Sequence, residues 1–199
     1  MGPVFLCIIP IVKTFIPKNL YSIERIFRAA GHELYLVGGA VRNIVLGRPP
    51  MDWDLASDAQ PQEIMKLFHH VIPTGIQHGT VTIRFKGESY EVTTYRIDGS
   101  YSDARRPDSV EYTGNIHEDL KRRDFTINAM AYNLQTHQLL DPHGGKKDLK
   151  SGIIRTVGDP LLRFSEDGLR IIRGIRFASG LNFSIEQVTY EGCVPALNS

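Results

Sequence analysis

The stretch GGAVRNIVLGRPPMDWDLAS, residues 38–57, constrains the fold of this chain more than any other. It follows HELYLV, a compact apolar run that suits a buried strand ending in glycines. AVRNIVLG then reads as a short helix closed by Gly47, and MDWDLAS as a short alternating strand. Two strands with a glycine-led helix between them place this region in a mixed α/β layer.

The flanks extend the same pattern. Residues 18–31 set Leu20, Ile23, Ile26 and Phe27 at helical spacing, with Gly31 as the stop. QPQEIMKLFHHV predicts a helix capped by Ser57 or Asp58. GTVTIRFKGESYEVTTYR predicts a hairpin, with Val81, Ile83 and Phe85 alternating before a turn at Lys86–Gly87–Glu88 and Tyr90, Val92 and Thr94 after it. Residues 98–117 are polar and rich in Gly, Pro, Ser and Asp, a long loop of the kind kept for function. Further helices are predicted over 118–132 and 159–178. The fold class is therefore α/β, a small mixed sheet with helices on one side followed by a helical extension.

With 199 residues, 42% of them hydrophobic, the chain can bury one good core. A net charge of +1 supplies no global attraction to RNA or membrane, so any basic surface must be local. Cys7 and Cys193 fit neither a disulfide framework nor zinc spacing, and a reducing cytoplasm is expected. The apolar start, MGPVFLCIIPIVKTFIP, is broken by Pro3, Pro10 and Lys13 and is shorter than the roughly 20 residues that span a bilayer. It lacks a basic leader and a cleavage site. It is expected to be an arm packed on the domain or on a second subunit, without membrane contact.

On a strand, Asp52 and Asp54 point the same way and Trp53 the other. Two carboxylates about 6.5–7 Å apart along a strand repel unless a cation lies between them, and oxygen-only ligation is what magnesium prefers. Gly38 and Gly39 let the backbone approach a triphosphate, the helix opening at Ala40 aims N–H groups at it, and Arg42 adds a phosphate contact. Either half alone also fits a tight turn and an ordinary surface Asp-x-Asp. A third carboxylate is expected from Glu91 in SYEVTTYR.

LVGGAVRNIVLGRPPMDWDLAS closely resembles the first signature of the bacterial-type (class II) tRNA nucleotidyltransferase, or CCA-adding, and poly(A) polymerase family. YEVTTYR, KRRDFTINAMAYN and FSEDGLRIIRGIRFAS match further segments in the same order, so the resemblance covers roughly residues 17–190. It implies a polymerase-β-like nucleotidyltransferase head, Mg2+ on Asp52 and Asp54, and template-independent addition of C and A to a tRNA 3′ end from CTP and ATP. On this reading 1–16 is the arm, 17–150 the catalytic head and 151–199 the start of a helical neck. Asn43 departs from the family's usual Arg-Asp, leaving the carboxylate pair intact. Family members continue through further helices, so the chain is expected to be either a fragment or a minimal form that relies on a homo-oligomer or on another chain for the missing grip. A poly(A) polymerase shares nearly every motif, and an idle RNA-binding module is the rival from another class.

Arg123, Asp124 and Asn128 offer a cation, an acceptor and an amide, suited to triphosphate oxygens and a ribose hydroxyl, or else Asp124 simply caps a helix. Asp167 and Arg170, three apart on a helix, can face one ligand. Their acceptor and donor match the amine and ring nitrogen of cytosine and adenine and mismatch uracil and guanine. Glu166 is expected to support Arg170, and Arg173 and Arg176 to extend the basic side. The plain alternative is an exposed helix pair. The 98–117 loop, with Arg105, Arg106 and Asp108, resembles the flexible loop of relatives that complete the CCA end.

Overall fold

The computed structural model describes residues 15–101, 105, 107 and 109–196. Nearly all of the expected arm, with Cys7, and also Arg106 and Asp108, lie outside the described residues. Lys18–Ala29 forms α1, which buries Leu20, Ile23 and Phe27 at the spacing read from sequence. Leu34–Val37 is β1, and α2 (Gly38–Val45) begins on its last residue's neighbour, earlier than Ala40. There follow β2 (Asp54–Ser57), α3 (Pro61–Leu67), β3 (Val71–Gly75), β4 (Thr80–Phe85) and β5 (Glu88–Thr94). Arg96–Asp98 (β6) and Val110–Tyr112 (β7) pair as a ribbon ahead of α4 (Ile116–Lys121). Then come β8 (Ala131–Asn133), β9 (Leu139–Leu140), α5 (Gly145–Ser151) and β10 (Ile153–Ile154). The helical end comprises α6 (Pro160–Glu166), α7 (Leu169–Leu181) and α8 (Gln187–Ala196), with β11 (Ser184–Ile185) beside β10.

Seven strands make one mixed sheet in the order β3-β4-β5-β2-β1-β8-β9. Only the β2–β5 pairing in it is parallel. Leu34, Leu36, Leu55, Ile83 and Val92 pack toward α1, α2 and α3, and each such fully buried side chain contributes about 1.5–3 kcal/mol. Because strand side chains alternate, Tyr35, Val37 and Ala56 face the other way, beneath Ile116 and Leu120 of α4. All four residues of β1 are buried, so it needs cover on both faces. Helices on one side only, as expected from sequence, would have left that second face wet.

Other expectations are corrected. Asp52 precedes β2 in an exposed bend, because β1 gives way to α2 after Val37 and offers β2 no partner beyond Leu36–Leu55. Helix α3 is capped by Gln60 with Glu63 in a reciprocal box, since Ser57 and Asp58 are engaged by the backbone at Glu33. It stops at Leu67, and the chain goes on to form β3. The irregular part of 98–117 is shorter, as β7 and α4 occupy its second half. The helix predicted over 118–132 breaks after Lys121: residues 126–128 form a single 3-10 turn and Ala131–Asn133 joins the sheet beside β1. Pairing with β1 overrides the helical pattern there. The helix over 159–178 is two helices, separated where Asp167 is extended (φ −148°) and its Oδ1 accepts the Leu169 N–H.

Helix α5 lies against the turn that carries Asn128, and a Cβ on Gly145 would stand 2.2 Å from the Thr126 carbonyl oxygen. That neighbour is backbone and cannot rotate away. Gly145→Ala is expected to lower unfolding free energy by about 1–3 kcal/mol, measured by urea denaturation. Among the described residues no helix is long and apolar enough to cross a membrane.

Candidate active site

Asp54 and Glu91 are register partners across the parallel β2–β5 pair. Their neighbours Leu55 and Val92 face the core, so both carboxylates stand on the opposite face. A strand spacing of about 4.7–4.9 Å brings the two like charges closer than Asp52 and Asp54 would be along one strand. Burial raises the Asp54 carboxyl, Arg123 and Arg42 pull it back, and Asp52 pushes it further up. Glu91 is raised by burial and then by the charges of Asp54 and Asp52.

Such a pair suits a cation. Among the described residues no group of three or more His, Cys, Asp or Glu is placed to hold a metal ion by itself. Two carboxylates with open positions fit magnesium, which commonly keeps several waters and takes further oxygens from substrate phosphates.

Gly38 adopts φ 65°, and a Cβ there would lie 3.4 Å from both Asp54 Oδ2 and Arg123 Nη1. Its bareness leaves open backbone beside the carboxylate. A Cβ on Gly39 would stand 3.5 Å from Arg42 Nη2. Arg42 donates from Nη1 to Asn128 Oδ1 (2.7 Å) and from Nε and Nη2 to Asn43 Oδ1 (3.2 and 3.1 Å). Asn43 thus anchors Arg42 as a neutral acceptor.

Asp124 accepts from Arg173 Nε (2.7 Å), from the Phe125 N–H (2.8 Å) and from Asn128 Nδ2 (3.3 Å). Arg42, Arg173 and Arg176 all lie over the Phe177 ring, 5.2, 5.6 and 5.7 Å from its centroid. Arg170 is 7% exposed and donates from Nη1 to Glu166 Oε2 (2.5 Å) and to the Arg163 carbonyl (3.0 Å). Tyr101 bridges this part to β6: its hydroxyl donates to Asp98 (3.0 Å) and accepts from Arg170 Nη2 (3.5 Å). Burial, followed by the charge of Asp98, pushes the Tyr101 phenol up to about 12, so it stays neutral.

These groups surround one cleft of about 610 Å³. Asp54, Glu91, Gly38, Gly39, Arg42, Arg123, Asp124, Asn128, Asp167, Arg170 and Arg173 line it; Asp52 and Arg176 do not. Seven arginines face five carboxylates in that lining, so the cleft is positive although the chain is nearly neutral.

Sequence reasoning missed the group that holds Arg123. Asp119, fully buried, accepts from Arg122 Nη2 on one oxygen (2.7 Å) and from Arg123 Nη2 on the other (2.9 Å). Burial alone would raise this carboxyl; the two guanidiniums hold it below the usual range. Arg122 also reaches Asp98 (3.6 Å). The signal was present in EDLKRR, where Asp119 stands three and four residues before the arginines on one helix face.

A profile of the Poly A polymerase head domain matches residues 34–155. The CCA-adding enzyme of Anoxybacillus flavithermus is 49% identical over 177 residues, 89% of this chain and 44% of that protein. That of Oceanobacillus iheyensis is 53% identical over 161 residues, 81% and 40% of the two chains. The crystal structure of Bacillus stearothermophilus CCA-adding enzyme in complex with CTP superposes with a TM-score of 0.82 at 41% identity, covering 89% of this chain and 42% of that one. A CCA-adding enzyme with ATP gives 0.77 at 27% identity, over 99% and 46%. The chain thus spans less than half the length of these relatives.

Proposed function

This chain belongs to the Poly A polymerase head domain family, and from that membership we propose that it adds C and A to the 3′ end of tRNA from CTP and ATP, releasing pyrophosphate. The observation that carries the reading is the in-register Asp54–Glu91 pair at the floor of an arginine-lined cleft. Relatives that match most of the chain are CCA-adding enzymes, and solved ones hold CTP or ATP.

Magnesium held by Asp54, with Asp52 and Glu91 beside it, would acidify the RNA 3′-hydroxyl and stabilise the departing pyrophosphate. Gly38, Gly39 and the start of α2 receive the triphosphate, and Arg42 and Arg123 orient it. Asn128 and Asp124 take the ribose with the hydrogen-bonding capacity their own contacts leave over. Arg173, donating to Asp124, holds that carboxylate in place, and Arg176 adds positive field from outside the cleft. Asp167 and Arg170 read the base edge, with Glu166 setting the Arg170 guanidinium. Residues 17–150 form the head and 151–199 the start of the neck.

Labelled CTP and ATP offered together to tRNA lacking its CCA end test the reading. Incorporation of both supports it; ATP alone, added repeatedly, would make the protein a poly(A) polymerase; no incorporation and no nucleotide binding would leave a non-catalytic module.

Base choice has its own test. Asp167→Ala or Arg170→Ala is expected to cut CTP and ATP use together, by one to two factors of ten, and to narrow the gap to UTP and GTP. Each lost hydrogen bond to a charged group is worth about 1.5–3 kcal/mol. Steady-state kinetics with the four triphosphates measures it, and unchanged selectivity in both variants would return the pair to helix capping and an ion pair.

A further inference from the structure

The apolar cover over the carboxylate face stops at β2: the cluster beneath α4 includes Tyr35, Val37, Ala56 and Ala131 and nothing from β3 or β4. Beyond Asp54 and Glu91 the same face continues as a strip of hydroxyls toward the sheet edge. Thr93 and Thr80 are register partners whose hydroxyls lie 3.0 Å apart, and Thr82, the partner of Glu91, lies 3.0 Å from Thr74 of β3. A second cavity of about 650 Å³ opens over this edge. It shares Thr80, Arg96, Arg105 and Pro107 with the main cleft, so the two spaces adjoin. No carboxylate among the described residues lines the second one.

In the sheet order β4-β5-β2-β1 the carboxylates of β5 and β2 stand between the two flanks of this face. On the β1 side lie Gly38, Arg42 and Arg123, which suit a triphosphate; on the β4 side lie threonines, Gln77 and His78. In a phosphoryl transfer the attacking and leaving oxygens are roughly in line on opposite sides of phosphorus. The attacking strand must then come from the side opposite the triphosphate arginines. A threonine hydroxyl both donates and accepts, as does a ribose 2′-hydroxyl, the group by which a protein tells RNA from DNA.

We propose that the threonine strip and the cavity over β3 and β4 hold the ribose backbone of the last nucleotides of the RNA to be extended, bringing its 3′-hydroxyl to Asp54 and Glu91 from the β4 side. This rests on the catalytic reading above and assigns the strand-binding half of that site.

The test uses Thr74→Val combined with Thr82→Val. Removing both members of a hydroxyl pair leaves neither unpartnered, and valine keeps the β-branched shape that strands favour. A short labelled oligoribonucleotide, its all-deoxy counterpart and CTP are each titrated against the full chain by fluorescence anisotropy or calorimetry. The unaltered chain is expected to prefer the ribose strand, and the double variant to lose roughly tenfold for that strand alone, with CTP affinity unchanged. The combined Thr74→Ser and Thr82→Ser variant, which restores hydroxyls, should recover the ribose preference. Equal affinity of the unaltered chain for the two strands overturns the proposal without any variant. So does a valine variant that still prefers RNA to the same degree. A chain that prefers RNA but fails to bind CTP supports the strand site and overturns the catalytic reading instead.

Discussion

Asp54→Ala is expected to lower nucleotide addition by about 10³-fold or more, equivalent to roughly 4 kcal/mol of barrier. The carboxylate stands against Glu91 in register, against the bare face of Gly38 and beside Arg123, so no neighbouring side chain can take its place. Stability should move the other way or not at all. A carboxyl raised by burial and by Asp52 is a destabilising charge in the folded protein at neutral pH, and alanine removes it. Incorporation of labelled CTP at saturating magnesium, with melting curves in the presence and absence of magnesium, measures both. The variant should lose the magnesium-dependent rise in melting temperature along with turnover. Near-normal turnover would mean that the cation is held elsewhere.

Asp119→Ala should produce the largest loss of stability of any change at the site. Two guanidiniums, each largely shielded from water, converge on one carboxylate that has no exposed surface. Taking away one partner of a buried ion pair leaves uncompensated charge and costs about 3–5 kcal/mol. Urea denaturation would show this as a lower midpoint with little change of slope. The pH dependence follows from the sign of the shift. The Asp119 carboxyl lies below its ordinary value, near 3.9, so its contribution is fully present above that pH and is lost as pH falls through the lower folded value. The gap in stability between the unaltered protein and Asp119→Asn should therefore narrow below about pH 4. A gap that stayed constant from pH 7 to pH 3 would show that Asp119 serves packing alone. Activity should suffer too, because Arg123, released from Asp119, no longer faces Asp54.

What was legible in sequence was what local pattern determines. Strand, Gly38–Gly39, helix and Asp54 follow one another within a short stretch, and the β4–β5 hairpin declares itself through alternation around Lys86–Gly87, both in the left-handed region (φ 49° and 85°). Glu91 could be picked as a third carboxylate from a neighbouring strand, but its exact register with Asp54 could not, since β5 reaches β2 only after two other strands intervene in the chain. The failures have the same origin. Ala131–Asn133 looks helical until β1 is present to pair with it, and Asp52 looks like a strand residue until β1 is seen to end too soon. Asp167 and Arg170 line one cleft without sharing a helix face, because Asp167 caps α7 from outside it.

The parallel seam between β2 and β5 makes the carboxylate spacing depend on chain length rather than on any side chain near it. Strand β5 is aligned twice, to β4 through the Lys86–Gly87 turn and to β2 through its other edge. A slip of one residue would bring Tyr90 or Val92 opposite Asp54 and turn Glu91 toward the core. Substitutions at the turn tip, far from the cleft, should strain the turn at Gly87 (φ 85°) while keeping the register, whereas a single inserted or deleted residue there would silence the site while leaving composition and strand content almost untouched. For variation in this protein, the spelling of the hairpin tip bears on stability and its length on the site.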